Sequence, residues 1–295
     1  MNLKTMRKTA IAFVLSLLMV MLSVVYCLPS MTNAVNASII SYARHNYSDQ
    51  NLKSCTYYSL RIDNEANSLS TYAVIGDNNF VQDSDTAVVQ ISGPGGTGFI
   101  IDNHTIATAA HCVYDISTKS FIDFKIKITD TNGNELEVIT PKYAHITEKF
   151  RFGDDYNEDE LYNCDYAMIN VENDLSKYEH FNLGVATNSF INKNSVVTVS
   201  GYPQYDFDND NKLEWGARYK ASGNIISNGC DDYILNYNAD MVSGDSGGPV
   251  YVERNYFGRK YKTAIAINAC ESYTNYGVKI TSDLLKFYYS NPLSK

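Results

Sequence analysis

The segment Gly244-Asp245-Ser246-Gly247-Gly248-Pro249 carries the most chemistry in this chain. A serine hydroxyl is a poor nucleophile until a base removes its proton and donors receive the oxyanion that forms. Glycines on either side let the backbone bend so that amides converge, which makes the N–H groups of Gly244 and Ser246 the expected oxyanion hole. A Gly-rich turn before a strand would explain the glycines and Pro249, but not the Asp-Ser pair between them. A base is offered by Thr108-Ala109-Ala110-His111-Cys112, where two small alanines permit close packing behind an imidazole facing a cleft. An imidazole titrates near about 6.5, which suits proton transfer around neutrality. The third segment, Cys164-Asp165-Tyr166-Ala167-Met168-Ile169, puts a carboxylate at the head of an apolar run. A charge entering a core needs a partner, and accepting the second ring N–H of His111 would supply one and fix the tautomer. A lone histidine in such a place is more often a satisfied core residue. In the order His111, Asp165, Ser246, the set reads as a catalytic triad.

These groups need a frame that brings distant segments together, and the remaining sequence is strand-like. Val88–Ile91, Gly98–Ile101, Phe124–Ile128 and Tyr166–Ile169 are short apolar or β-branched runs in the first half. Val196–Val199, Tyr233–Leu235, Pro249–Val252 and Ala264–Ile267 follow in the second, with turn residues such as Asp130-Thr131-Asn132-Gly133-Asn134 between runs. The pattern predicts an all-β protein with two barrels, over 74–185 and 186–295. One helix is expected at the end, capped by Thr281 or Ser282 and carrying Leu284, Leu285, Phe287 and Tyr288.

Upstream, Lys4, Arg7 and Lys8 precede the apolar stretch Ala10–Tyr26, and small residues follow, with Ala34 and Ala37 as cleavage points. Residues 1–37 therefore read as an export signal, with an uncleaved anchor as the alternative. Residues 38–73 are polar and read as a pro-segment or linker. Six cysteines occur, and Cys27 falls in the signal. The other five, Cys55, Cys112, Cys164, Cys230 and Cys270, show no CxxC spacing, which disfavours zinc. Export permits disulfides; the pairing stays open, with Cys230–Cys270 put first and Cys112–Cys164 second. A net charge of −9 excludes a phosphate backbone as a natural partner. The acidic run Asp154–Glu160 reads as a solvated loop. Asp206–Asn211 has the alternating oxygens of a calcium loop but no glycine at its sixth position and Ala217 at its twelfth, so a polar loop is expected.

Thr108–Cys112, Asp165–Ile169 and Gly244–Pro249 resemble the trypsin-like serine peptidases. Val74-Ile75-Gly76, Gly96-Thr97-Gly98-Phe99-Ile100, Thr198–Pro203 and Tyr237 look like the bacterial glutamyl-endopeptidase branch. The resemblance spans 73 to about 285. It implies two six-stranded antiparallel barrels, a triad in the cleft between them, protein or peptide substrates, a monomer, and no metal or cofactor. Membrane contact is expected only if the N-terminal segment stays uncleaved. In that branch a threonine and a histidine help to hold a substrate glutamate, and Met241 and Asn268 stand at those places here. Neither brings the positive charge a buried glutamate needs. Asp240 stands where trypsin selects basic residues, so specificity pocket residues Asp240, Met241 and Asn268 leave Arg/Lys, Glu and neither all open. The resemblance also implies that Asp245 pairs with an N-terminus freed near Val74, against the alternative of a locally hydrogen-bonded Asp245. Two rival functions are a binding module that kept the barrels and a thiol enzyme using Cys112. The complete triad counts against the first. The second is disfavoured, because Cys112 adjoins His111 in sequence and a strand neighbour points to the opposite side.

Overall fold

β-branched runs in the first half zip into a seven-stranded sheet. The computed structural model describes residues 39–41, 79–153, 158–207, 215–270 and 275–290. Strand order in this sheet is Tyr143–Ile146, Ala167–Asn170, Thr105–Thr108, Gly96–Asp102, Val88–Ser92, Lys125–Thr129 and Glu135–Ile139. Its pairings are all antiparallel. Val88, Val89, Ile91, Phe99, Ile100 and Ile106 are fully buried in near-continuous runs, whereas in Lys125–Thr129 the fully buried Ile126 and Ile128 alternate with lysines.

The second sheet has nine strands. Its path runs Ile39–Ser41, Asn182–Ala186, Arg259–Cys270, Pro249–Tyr256, Val196–Gly201, Tyr219–Asn224 and Val81–Gln82. Asn275–Lys279 also pairs with Arg259–Cys270, and Ile234–Tyr237 pairs with Asn275–Lys279. The architecture is the one expected from the sequence, two curled β-sheets and a C-terminal helix. Their strand numbers differ from six each because short segments such as Ile39–Ser41 and Val81–Gln82 also find ladder partners. One pairing, Asn182–Ala186 with Arg259–Cys270, is parallel.

Helix Ser282–Ser290 is capped by Thr281, whose Oγ1 accepts the Leu284 N–H at 3.2 Å. It buries Leu284, Leu285, Phe287 and Tyr288 as expected, but it reaches across to the first sheet. Tyr288 OH donates to the Ala167 carbonyl at 3.1 Å, and Phe287 meets Tyr166 edge-on at 5.2 Å between centroids. The helix thus braces the strand that begins just after Asp165. Among the described residues no helix is long and apolar enough to cross a membrane.

Two disulfide expectations are corrected here, because Cys112, Cys164 and Cys230 are free thiols. Their Sγ atoms donate to separate backbone carbonyls: Ser246 O at 3.3 Å, Glu160 O at 3.2 Å and Ile226 O at 3.4 Å. Burial pushes the Cys164 thiol up to about 12, so it stays protonated and inert. Residues 1–37, Cys55, Val74 and Asp208–Asn211 lie outside the described residues.

Candidate active site

Strand register brings the base and its carboxylate together. Ala167 pairs with Thr108, so the residues just before Ala167 lie beside those just after Thr108. Beyond Thr108 the chain turns through a single 3₁₀ turn, Ala110–Cys112, and Asp165 meets it at two points. The His111 backbone N–H donates to Asp165 Oδ1 at 3.0 Å, and His111 Nδ1 lies 2.7 Å from Oδ2. Asp165 is 3% exposed, so its charge depends on this histidine. Burial works against a protonated ring, yet the Asp165 carboxylate, with a further contribution from Cys112, raises the His111 pKa well above the ordinary imidazole value. Nδ1 therefore carries the proton toward Asp165, which leaves Nε2 as the basic nitrogen.

The 3₁₀ turn replaces the strand expected from the sequence at His111 and Cys112. Cys112 does not continue a strand, and its thiol points to the Ser246 carbonyl oxygen. It is fully buried there, packed where a Cβ on Gly96 would sit 2.7 Å from its sulfur.

Ser246 lies in the loop between Ile234–Tyr237 and Pro249–Tyr256. Gly244 and Gly247 take positive φ of 96° and 86°, a left-handed bend open to glycine. Along this loop the Asp245 N–H donates to Val242 O, the Gly247 N–H to Asn268 O and the Gly248 N–H to Asp245 O. Among the described residues the N–H groups of Gly244 and Ser246 have no acceptor. These are the two amides expected to form the oxyanion hole. Ser246 Oγ donates to the Ala269 carbonyl at 3.3 Å. A catalytic hydrogen bond to the base is commonly made only once substrate is bound.

The first sheet holds this loop through Thr97, part of the family-like segment Gly96–Ile100 but with no role assigned from the sequence. Its N–H donates to Ser246 O at 2.8 Å and its Oγ1 to Gly244 O at 2.7 Å. Oγ1 also accepts the Tyr202 N–H at 2.9 Å, while the Thr97 carbonyl accepts Thr108 Oγ1 at 2.6 Å. A β-branched hydroxyl between two glycines, Gly96-Thr97-Gly98, was the only available sign of it.

The residues expected to line a specificity pocket are all buried, and Asp240 and Asn268 are hydrogen-bonded. Asp240 is 1% exposed and its Oδ2 accepts the Asn79 N–H at 2.9 Å. Met241 is equally buried. Asn268 accepts the Tyr237 hydroxyl on Oδ1 and donates from Nδ2 to the Asp245 carbonyl at 2.9 Å. Asp245 is 2% exposed, and its Oδ2 accepts the Val242 N–H at 2.9 Å.

Known proteins resemble this chain in sequence and in fold. The family model described as Trypsin matches residues 63–286. A glutamyl endopeptidase of Bacillus licheniformis is 30% identical over 170 residues, covering 56% of this chain and 48% of that protein. The chain thus matches about half the length of this relative. A solved structure of a Glu endopeptidase in complex with MPD superposes with a TM-score of 0.58 at 18% identity, over 74% of this chain and 98% of that one. At that identity the likeness is one of fold.

Proposed function

The chain belongs to the trypsin family, and from that premise we propose that it is a secreted serine endopeptidase acting through an acyl-enzyme. Ser246 attacks the scissile carbonyl while His111 Nε2 takes the hydroxyl proton, and His111 then returns that proton to the leaving amine. Asp165 holds the ring by Nδ1 and stabilises the imidazolium. The Gly244 and Ser246 amides receive the oxyanion, and water repeats the sequence to release the acid. One observation carries this reading: around the serine the Asp245, Gly247 and Gly248 amides are hydrogen-bonded, while among the described residues those of Gly244 and Ser246 have no acceptor.

Substrates on this reading are proteins or peptides. Glutamate preference does not follow from the Bacillus relative, because Met241 and Asn268 bring no cation to the pocket and Asp240 would repel an acidic side chain. Export by residues 1–37 and a mature start near Val74, whose amine would meet buried Asp245, belong to the same proposal. N-terminal sequencing of active protein checks both, and a fully active form starting well upstream of Val74 would remove the activation step.

The central test is Ser246→Ala. Wild-type protein is expected to be labelled at Ser246 by an organophosphonate and to digest casein. The variant should lose the label and about 10⁶-fold in turnover. Equal digestion by both would overturn the assignment.

A further inference from the structure

A trans peptide points its N–H and its C=O in opposite directions, so anchoring the carbonyl aims the amide. The Gly244 N–H shares a peptide with the Ser243 carbonyl, which accepts the Gln204 N–H at 2.7 Å. The Ser246 N–H shares one with the Asp245 carbonyl, which accepts the Gly248 N–H at 3.0 Å and Asn268 Nδ2 at 2.9 Å. One hole-forming peptide is therefore held by backbone alone, and the other by a side chain as well.

Asn268 is suited to that task. It is fully buried, and its own backbone is stitched to the same loop by Gly247 N–H to Asn268 O and Asn268 N–H to Gly248 O. A backbone carbonyl only accepts, so the amide nitrogen must face Asp245 and the amide oxygen is left for the Tyr237 hydroxyl. Tyr237 is fully buried too, and its hydroxyl donates to that oxygen, which holds the amide in the orientation the Asp245 carbonyl requires. We propose that Asn268 is a positioning residue of the oxyanion hole, aiming the Ser246 N–H through the Asp245 carbonyl, with Tyr237 fixing its orientation. This rests on the serine-peptidase reading above. It gives Asn268 a different task from selecting the substrate side chain.

The two tasks separate by experiment. A selecting residue alters preference among substrates, whereas a positioning residue scales all of them, including an ester with no side chain to recognise. Asn268→Ala keeps the backbone bonds and is expected to lower kcat on p-nitrophenyl acetate by about 10- to 100-fold, below the loss of a whole oxyanion donor. KM should stay within about threefold, and the order of preference across a peptide library should not change. Asn268→Asp, which turns an acceptor toward the Asp245 carbonyl, should lose more. Tyr237→Phe should lose about three- to tenfold, and it decides the matter if the Asn268 variants fail to fold. Fluorophosphonate titration counts active serines in each preparation. A titrated Asn268→Ala or Tyr237→Phe protein with wild-type kcat, or with a reordered preference, overturns the positioning role alone. Failure of the wild type to be labelled overturns the serine-peptidase reading and this role with it.

Discussion

At the scale of single residues, the His111–Asp165 pair sets how the protein should respond to pH. The proposed base works only as neutral imidazole, and Asp165 raises its pKa. Activity should therefore rise with pH through a midpoint above about 6.5. Asp165→Asn should move that midpoint downward and cut turnover by about 10⁴-fold. A pH–rate profile of kcat/KM for both proteins checks the direction, and an unmoved midpoint would deny Asp165 its influence. Stability runs in the opposite sense. A raised folded pKa contributes stability that is whole below the unfolded value of about 6.5 and is lost as pH rises through the folded one. The advantage of wild type over His111→Ala in urea should shrink accordingly toward alkaline pH.

Elements place these residues through turns that only certain side chains allow. Gly247 has φ of 86°, and a Cβ there would lie 2.2 Å from the Thr97 carbonyl oxygen and 2.3 Å from Thr108 Oγ1. Gly216 also has positive φ, at 123°, but a Cβ there would meet nothing within 4 Å. Gly247→Ala should thus cost about 3 kcal/mol or more, strain plus collision, while Gly216→Ala costs about 1 kcal/mol of strain. Urea midpoints of the two variants test this, and equal losses would show that the contact with Thr97 is unimportant. The element scale also accounts for what was hard to foresee. Strand runs such as Val88–Ile91 and Ala264–Ile267 were legible because burial on both faces leaves continuous apolar residues. Short helices such as Glu148–Arg151 and Asn188–Ile191 were not legible, being too brief to show a period. Their Thr147 and Thr187 caps are visible only once the backbone is known.

Across the whole molecule, the two sheets are joined by ion pairs to the buried carboxylates Asp83 and Asp85 as well as by the active-site loop. Lys262 of the second sheet lies 2.6 Å from Asp85, just ahead of the Val88–Ser92 strand, and 2.9 Å from Glu179. Lys220 lies 3.1 Å from Asp83, whose other oxygen accepts Ser200 Oγ at 2.6 Å. Burial works against a charged Lys262, yet Asp85 outweighs it and raises its pKa. Removing one partner strands the other charge, so Lys262→Met should lower the unfolding free energy by about 3 kcal/mol. Because the pair spans both sheets, fluorescence and circular dichroism should still report a single transition. Two separated transitions would show that the sheets unfold independently.

By itself the sequence determined the chemistry on offer: three reactive segments in a set order, glycines around a serine, and enough alternating strand to build two sheets. Those properties are local, carried by residue type and short spacing. Tertiary structure decided everything that depends on which distant groups meet. It turned Cys112 onto the Ser246 carbonyl, left Cys112, Cys164 and Cys230 unpaired and set Asp240 against the Asn79 amide. It also set Thr97 and Asn268 on the carbonyls of the nucleophile loop. A hydrogen bond between residues far apart in the chain leaves no periodic trace, because its partner is chosen by how the sheets pack.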